Sequence, residues 1–206
     1  DENFFLEGEK LVCQTRSPKF TFYYTSQEFY ASRALNILKT TRVDMQYLSA
    51  LLNSKVMAFW YLKRGAKLGN LFKMDIGPLL NLPLILPENI NIIKCLYQFI
   101  LFIKKSQVDL IKYNSNEIVI YALNEVINQA FYELYFGNEP EMQELKVLQH
   151  LQDIKPISEE FTDEDIETVV KFYHSIQEQK SPIRSVLLKA NIVSKDIVGI
   201  INATIS

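Results

Sequence analysis

The chain has 206 residues, of which 48% are hydrophobic and 22% are charged, and its formal net charge is −2. A chain of this length buries roughly 70% of the surface that it exposes when unfolded, so it can form one large domain or two small ones. The content of Ile, Leu and Phe excludes a disordered tail, and the low glycine and cysteine contents exclude a collagen-like repeat and a disulfide scaffold.

The charge is divided unevenly along the chain. Residues 1–84 carry 11 Lys and Arg against 7 Asp and Glu (+4), whereas residues 85–206 carry 11 against 17 (−6), and together they give −2. Between Lys10 and Met74, 11 basic residues stand against two acidic ones (+9). Such asymmetry predicts an N-terminal surface that faces a polyanion such as nucleic acid, the alternative being a basic face that is only solvated.

Neither the cysteines nor the apolar stretches point to a metal, a disulfide or a membrane. Cys13 and Cys95 are far apart and form no CxxC motif, which favours two small buried hydrophobic residues. The longest apolar stretch, 90–103, is shorter than the roughly 18 residues that a bilayer span needs, so it predicts a buried helix. The chain begins with Asp1, and we expect it to be a piece of a longer protein.

Short strands are predicted within the first forty residues. Lys10–Thr15 and Phe20–Thr25 are rich in β-branched and aromatic residues, and the turn signal Arg16–Lys19 separates them. Ala34–Thr40 alternates apolar and polar side chains, as a half-buried strand does. In the second strand, alternate aromatic side chains are expected to face the core and to leave Tyr23 exposed.

A helix, a loop and an extended segment are predicted next. Asp44 is expected to cap a helix that continues to about Arg64, with one apolar stripe. Gly65–Asp75 predicts a basic loop. Residues 76–86 contain two prolines, which favour a short edge strand or an extended segment over a helix.

Beyond Pro87 the pattern changes to helices, which predicts an α+β chain: a small N-terminal mixed sheet with one long helix over 1–87, and an all-helical part over 88–206. The expected helices span about 88–112, 116–135, 141–154, a capping box at Thr162 to about 179, a short helix from Ser181-Pro182, and one capped by Ser194. The second carries an apolar stripe, which is either core or a surface for a partner helix: Val119, Leu123, Val126, Ala130 and Phe131.

Motifs for catalysis are missing from the chain. It has no GxSxG, no HExxH and no phosphate-binding loop. His150 and His174 lie on different predicted helices, without a metal ligand at a suitable spacing. Because the acidic run Asp163–Asp165 opens a helix, the helix dipole accounts for it. We therefore expect no catalytic residue, no metal and no cofactor in this chain.

Several segments of the chain resemble one known family. They are Gly8–Val12 leading into a strand with Arg16, Tyr47–Lys55 and Phe59–Tyr61, the basic stretch to Lys73, Leu80–Leu84, and downstream Tyr132–Phe136. In this order they resemble the TaqI-like C-terminal specificity domain, the target recognition domain attached to N6-adenine DNA methyltransferases and to fused type IIG restriction enzymes.

The resemblance implies a bacterial, cytoplasmic restriction-modification enzyme. In it, this chain binds duplex DNA and helps to choose the recognition sequence. A separate methyltransferase and endonuclease part uses S-adenosylmethionine and Mg²⁺ and flips an adenine out of the helix. The alternative function is a non-catalytic helical module that binds another protein.

Candidate contacts to DNA follow from the basic and aromatic residues of the first part. Arginine side chains at Arg16 and Arg64 are suited to guanine edges because a guanidinium can bond two acceptors, whereas lysines are suited to phosphates. Lys63 and Arg64 are equally explained by the helix C-terminus that they occupy. The turn Asn53–Lys55 is expected to fix packing. The full set of candidates is Arg16, Lys19, Tyr23, Lys39, Arg42, Lys63, Arg64, Lys67 and Lys73.

Overall fold

The chain forms two compact units in a computed structural model that describes residues 6–158, 160 and 162–205. One unit contains the residues up to Leu84 together with the last residues from Thr204, and the other is Ile85–Ala203. The six strands found among the described residues belong to the first unit, and the predicted α+β class is confirmed. None of the described helices is long and apolar enough to cross a membrane.

The first sheet is antiparallel and has three strands. β1 (Lys10–Gln14) lies between β3 (Tyr23–Thr25) and β4 (Leu35–Leu38), with Val12 opposite both Tyr23 and Ile37. The predicted strands at these places are confirmed, although β3 is only the last part of the predicted Phe20–Thr25 strand. The sheet is not the mixed one that the sequence had predicted, because both pairs of neighbouring strands are antiparallel.

A second antiparallel sheet forms from segments that the sequence predicted to be a turn and a loop. It consists of β2 (Arg16–Ser17), β5 (Ala66–Leu68) and β6 (Leu71–Lys73), in the order β2-β6-β5. The predictions of a turn at 16–19 and of a loop at 65–75 are therefore wrong in part. A two-residue turn closes the β5–β6 hairpin, and its first residue, Gly69, has φ +61°, which only glycine adopts without strain.

Thr15 joins the two sheets through its own backbone. Its N–H donates to the carbonyl of Ala34 beside β4 (2.8 Å), and its carbonyl accepts from the N–H of Met74 after β6 (2.9 Å). The side-chain amide of Asn36 donates to the carbonyl of Met74 (2.7 Å), so a second bond connects β4 to the end of β6. The chain thus changes its pairing partner at a single residue, which forms a bend between β1 and β2.

Two helices stand where the sequence predicts one. α1 (Met45–Leu52) begins at Asp44, whose side chain accepts from the N–H groups of Gln46 and Tyr47, so the predicted cap is confirmed. α2 (Lys55–Arg64) begins at Ser54. The backbone of Ser54 is extended and its hydroxyl accepts from the N–H of Met57, a local bond that competes with a continuous helix.

Asn53, between these helices, holds the chain segment before β3. Its Oδ1 accepts from the N–H of Phe22 (2.9 Å) and its Nδ2 donates to the carbonyl of Phe22 (2.8 Å) and to that of Ser49 (2.9 Å). These bonds take the place of the ladder that a longer strand would form. Phe22 is buried and its ring packs edge-on against Phe20. The expectation that this turn fixes packing is confirmed.

A short helix, α3 (Ile76–Leu80), lies where the prolines favoured an extended segment. Pro78 is its third residue, and an N–H in the first helical turn has no partner within the helix, so the missing donor costs nothing. The prediction of an extended segment is wrong for these five residues; the structure is irregular from Leu82 to the next helix.

The second unit is helical, with its core between the helices. The helices are α4 (Asn91–Lys105), α5 (Asn116–Phe136), α6 (Asp163–Gln177), α7 (Pro182–Val193) and α8 (Ile200–Ile205), with a π-helical turn at Lys195–Gly199 that Ser194 caps. The apolar stripe of α5 is buried at 0–1% exposure: Val119, Leu123, Val126, Ala130 and Phe131. Ser181 caps α7, with Pro182 as its first residue, as predicted.

Side chains account for two differences from the predicted helices. α4 ends at Lys105 and not near 112, because the Asn116 side chain accepts from the N–H of Leu110 and donates to the carbonyl of Val108. The helix predicted over 141–154 is two 3₁₀ segments, Pro140–Leu145 and Leu148–His150. Between them, the Glu133 carboxylate of α5 accepts from two backbone N–H groups (2.6 and 2.8 Å) in place of helical carbonyls.

The predicted capping box of α6 is confirmed, and its carboxylate has further donors. Asp165 accepts from the N–H groups of Ser158 (3.0 Å) and Thr162 (2.7 Å) and from both hydroxyls. These bonds stabilise the ionised form and lower the pKa of Asp165 to about 2, with those from Ser158 contributing most.

We predict that Asn53→Ala lowers the free energy of unfolding by about 2 kcal/mol, because it leaves the N–H and carbonyl of Phe22 without their partner. Chemical denaturation followed by tryptophan fluorescence measures this, since the single tryptophan, Trp60, lies in α2. As a control, Asn70→Ala in the exposed hairpin turn should change the value by less than about 0.5 kcal/mol. Equal effects of the two substitutions would contradict the role of Asn53 in holding the backbone of Phe22.

We predict that the low pKa of Asp165 makes the free energy of unfolding depend on pH in the acidic range. A carboxyl group whose pKa is lower in the folded chain stabilises it above the unfolded pKa, near 4, and this stabilisation is lost as the pH falls towards 2. Asp165→Asn should therefore lose about 2 kcal/mol at pH 7 and show less dependence on pH between 4 and 2 than the unaltered chain. Parallel pH profiles for the two proteins would refute the assignment.

Candidate nucleic-acid interface

Two cations lie side by side across the second sheet. Arg16 on β2 is opposite Lys73 on β6, and Lys73 is opposite Ala66 on β5. Directly opposed side chains in an antiparallel pair begin about 5 Å apart and face the same way. Arg16 is exposed and the Lys73 side chain is 45% exposed, so this row of the sheet presents positive charge to solvent.

An aromatic cluster beneath the sheet sets the position of Lys73. The hydroxyl of Tyr61, on α2, donates to the carbonyl of Lys73 and accepts from the N–H of Asp75 (3.1 Å). Its ring is buried against Phe20 (4.8 Å between centroids) and Phe72 (6.3 Å). Burial raises the pKa of Tyr61, whereas the bond from the Asp75 N–H acts in the opposite direction, so the hydroxyl keeps the proton that it donates.

Lys73 also forms an exposed ion pair. Its Nζ lies 3.0 Å from Oδ2 of Asp75, and both side chains are 40–45% exposed. An exposed pair of this kind contributes only about 0–1 kcal/mol. A phosphate can therefore replace Asp75 as the partner of Lys73 at little cost.

The structure separates Lys67 from Lys73, although both belong to the β5–β6 hairpin. Lys67 is opposite Phe72, and Phe72 is opposite Ser17. That row faces the interior, since Ser17 is buried and the Phe72 ring lies 5.9 Å from that of Phe20. Lys67 is exposed because β5 is an edge strand. Its side chain leaves the backbone on the face opposite the one that carries Arg16.

Three other candidates lie at the ends of elements beside this sheet. Lys63 and Arg64 are exposed in the last turn of α2, where the Nζ of Lys63 is 5.4 Å from the centre of the Phe59 ring. Arg64 is the last residue of α2 and precedes the start of β5 at Ala66 by two residues. Lys19 is exposed two residues after β2.

The remaining candidates are elsewhere on the first unit. Because β4 is antiparallel to β1, Lys39 lies at the end of the first sheet that is remote from Arg16. Its Nζ donates to the carbonyl of Glu7 (2.5 Å), and it lines a groove with Arg42 and the carboxylates of Glu9 and Asp44. Tyr23 is 64% exposed on β3, which confirms the expected exposure.

Two basic residues behave differently from what the charge pattern suggests. Lys10 is fully buried, and its Nζ donates to the carbonyls of Leu6 (3.3 Å) and Gln27 (2.8 Å), so it serves the fold rather than a polyanion. Arg33, which the sequence analysis did not single out, is exposed beside Ala34, the residue that bonds to Thr15. No sequence signal places Arg33 near Arg16, because only that backbone bond brings them together.

Both cysteines of the chain lie in the interior. Burial raises the pKa of the Cys13 thiol to about 11 and that of Cys95 to about 12, so neither is a thiolate at neutral pH. Both cysteines are free and buried, which confirms the prediction made for them. Within the described ranges, no group of three or more His, Cys, Asp or Glu could hold a metal ion.

We predict that Tyr61→Phe lowers the free energy of unfolding by about 1 kcal/mol, because the hydroxyl has two backbone partners at the end of β6. Denaturant titration measures this. Tyr23→Phe, which removes the hydroxyl of an exposed side chain, is the matched control and should have no measurable effect. If the two variants are equally stable, the hydroxyl of Tyr61 does not position Lys73.

Comparison with known protein families identifies the first part of the chain. No curated protein matches the chain. The family of TaqI-like C-terminal specificity domains matches residues 1–84, and this match ends at the residue where the first compact unit ends. The downstream segment Tyr132–Phe136, which the sequence analysis included in the resemblance, lies outside the match. Over residues 1–84 the chain thus matches the TaqI-like C-terminal specificity domain, and the predicted resemblance is confirmed there.

Proposed function

We propose that this chain recognises a DNA target as part of a restriction-modification enzyme, and that the first unit binds the duplex through the face of the second sheet that carries Arg16 and Lys73. The match to a specificity domain supports DNA target recognition. The observation that carries the assignment of the face is the register, which sets these two cations directly opposite each other with their side chains exposed.

Phosphate contacts supply the affinity of such a surface. Each phosphate that a Lys or Arg neutralises releases condensed counterions, which favours binding whatever the base sequence. Lys73 is the central contact, and Lys19, Lys63 and Arg64 extend it at the adjoining ends of β2 and α2. Lys67, at the sheet edge on the opposite face, contributes less. Lys39, Arg42 and Tyr23 contact the duplex farther from this centre.

We assign the chemistry to a separate catalytic partner domain. That domain is an adenine-N6 methyltransferase with endonuclease activity, as in type IIG enzymes of the bacterial cytoplasm, and it binds S-adenosylmethionine and Mg²⁺. The 206-residue chain holds the duplex in position against this domain while an adenine is extruded from the stack. The support for this division is the family match, because a specificity domain acts together with a catalytic partner.

The alternative function, a helical module that binds another protein through the α5 stripe, has less support. The stripe residues are the core of the second unit, at 0–1% exposure. A partner helix could contact them only if that unit opened, which would expose its largest apolar surface to water.

We predict that the 206-residue chain binds mixed-sequence duplex DNA, with a slope of about −3 to −5 in a plot of log K against log salt concentration. This corresponds to roughly 3 to 6 phosphates at about −0.9 each. Lys73→Gln should weaken binding and reduce the slope by about 1. Fluorescence anisotropy with a labelled duplex at several salt concentrations measures both quantities.

Two control variants make this test specific. Lys67→Gln, on the same hairpin but the opposite face, should weaken binding less than Lys73→Gln. Lys189→Gln, exposed on α7, should leave binding unchanged. All three variants should melt at the temperature of the unaltered chain. Binding that is absent at low salt, or that does not respond to salt, would refute the proposed function.

A further inference from the structure

Gln14 ends β1 and Arg16 begins β2, on either side of a bend at Thr15. Both residues are exposed, whereas the residues that flank them, Cys13 and Ser17, are buried. The two bonds of the Thr15 backbone, to Ala34 and to Met74, hold the intervening residue from both sides. The two side chains therefore project from a firmly held backbone.

Both side chains border the same groove. It has a volume of about 590 Å³ and is also lined by Ser32, Ala34 and Leu35. None of the described residues that line this groove carries a carboxylate that would hold the guanidinium. Neither the Gln14 amide nor the Arg16 guanidinium has a hydrogen-bond partner within the part of the chain that the structure describes. Their donors and acceptors are therefore available to a ligand.

The two side chains have the hydrogen-bonding groups that distinguish purines in the major groove. A glutamine amide donates to N7 and accepts from N6 of adenine, and an arginine guanidinium donates to O6 and N7 of guanine. Residues two apart in a chain are separated by no more than about 7 Å, so the two side chains can reach neighbouring base pairs, whose rise is about 3.4 Å each. Lys73 lies opposite Arg16 on β6, where it can hold a flanking phosphate.

We infer that Gln14 and Arg16 form a base-reading pair, in which Gln14 recognises an adenine and Arg16 a guanine nearby in the target sequence. This inference rests on the proposed function, since it requires that the first unit binds duplex DNA. It adds a residue, Gln14, that the charge pattern does not reveal because it is neutral. It also separates Arg16, which reads sequence, from Lys73, which supplies affinity.

The test is a selection of duplexes by the 206-residue chain from a pool with a randomised centre, followed by sequencing of the bound DNA. The unaltered chain should enrich a motif that contains an adenine and a guanine within a few base pairs. Gln14→Ala should lose the preference for the adenine alone, by roughly 5- to 150-fold against the other bases, and retain the guanine. Arg16→Lys, which keeps the charge but not the paired donors, should lose the guanine preference by a similar factor.

Measurements on a mixed-sequence duplex separate the inference from the proposed function. Gln107→Ala, an exposed substitution in the second unit, should change neither the affinity for this duplex nor the enriched motif. If the chain enriches a motif and both variants enrich the same one, the inference is wrong and the proposed function stands. If the chain binds duplex but enriches no motif, the inference and target recognition by this chain both fail. If no duplex is bound, the proposed function fails.

Discussion

The arrangement of the first unit depends on the two backbone bonds of Thr15. Because its N–H pairs with the carbonyl of Ala34 and its carbonyl with the N–H of Met74, the chain belongs to one sheet before this bend and to the other after it. An unpaired buried backbone group costs about 1–3 kcal/mol, so this change of partner leaves little freedom in where Arg16 lies. The position of Arg16 opposite Lys73 follows directly from it.

Side chains that bond to backbone shape the rest of both units. Asn53 holds Phe22 in place of a strand, Glu133 holds the 3₁₀ region, and Asp165 joins Ser158 to the start of α6. In each case a short polar side chain satisfies backbone groups that regular structure leaves unpaired. At Asn53 and Glu133, the predicted strand and the predicted helix were longer than the observed ones.

The side chains of the proposed interface contribute to DNA binding in two different ways. The lysines around the second sheet suit the sequence-independent part of DNA binding, since an ammonium group is a point charge. Gln14 and Arg16 have the directed donors and acceptors that base edges require. The buried Lys10 shows that the net charge of the segment overstates the positive charge at its surface. A lysine with two carbonyl partners in the core contributes nothing to a phosphate contact.

Local signals in the sequence determined the α+β class, the strands around Lys10 and Leu35, the caps at Asp44, Thr162 and Ser181, and the apolar stripe of α5. These depend on neighbouring residues, on the period of the apolar positions and on helix capping, which operate within a few residues. Only the tertiary structure decided which cations share a face, because that depends on strand register between segments more than fifty residues apart along the chain. A shift of one residue in that register would turn Lys73 to the interior and Phe72 to solvent.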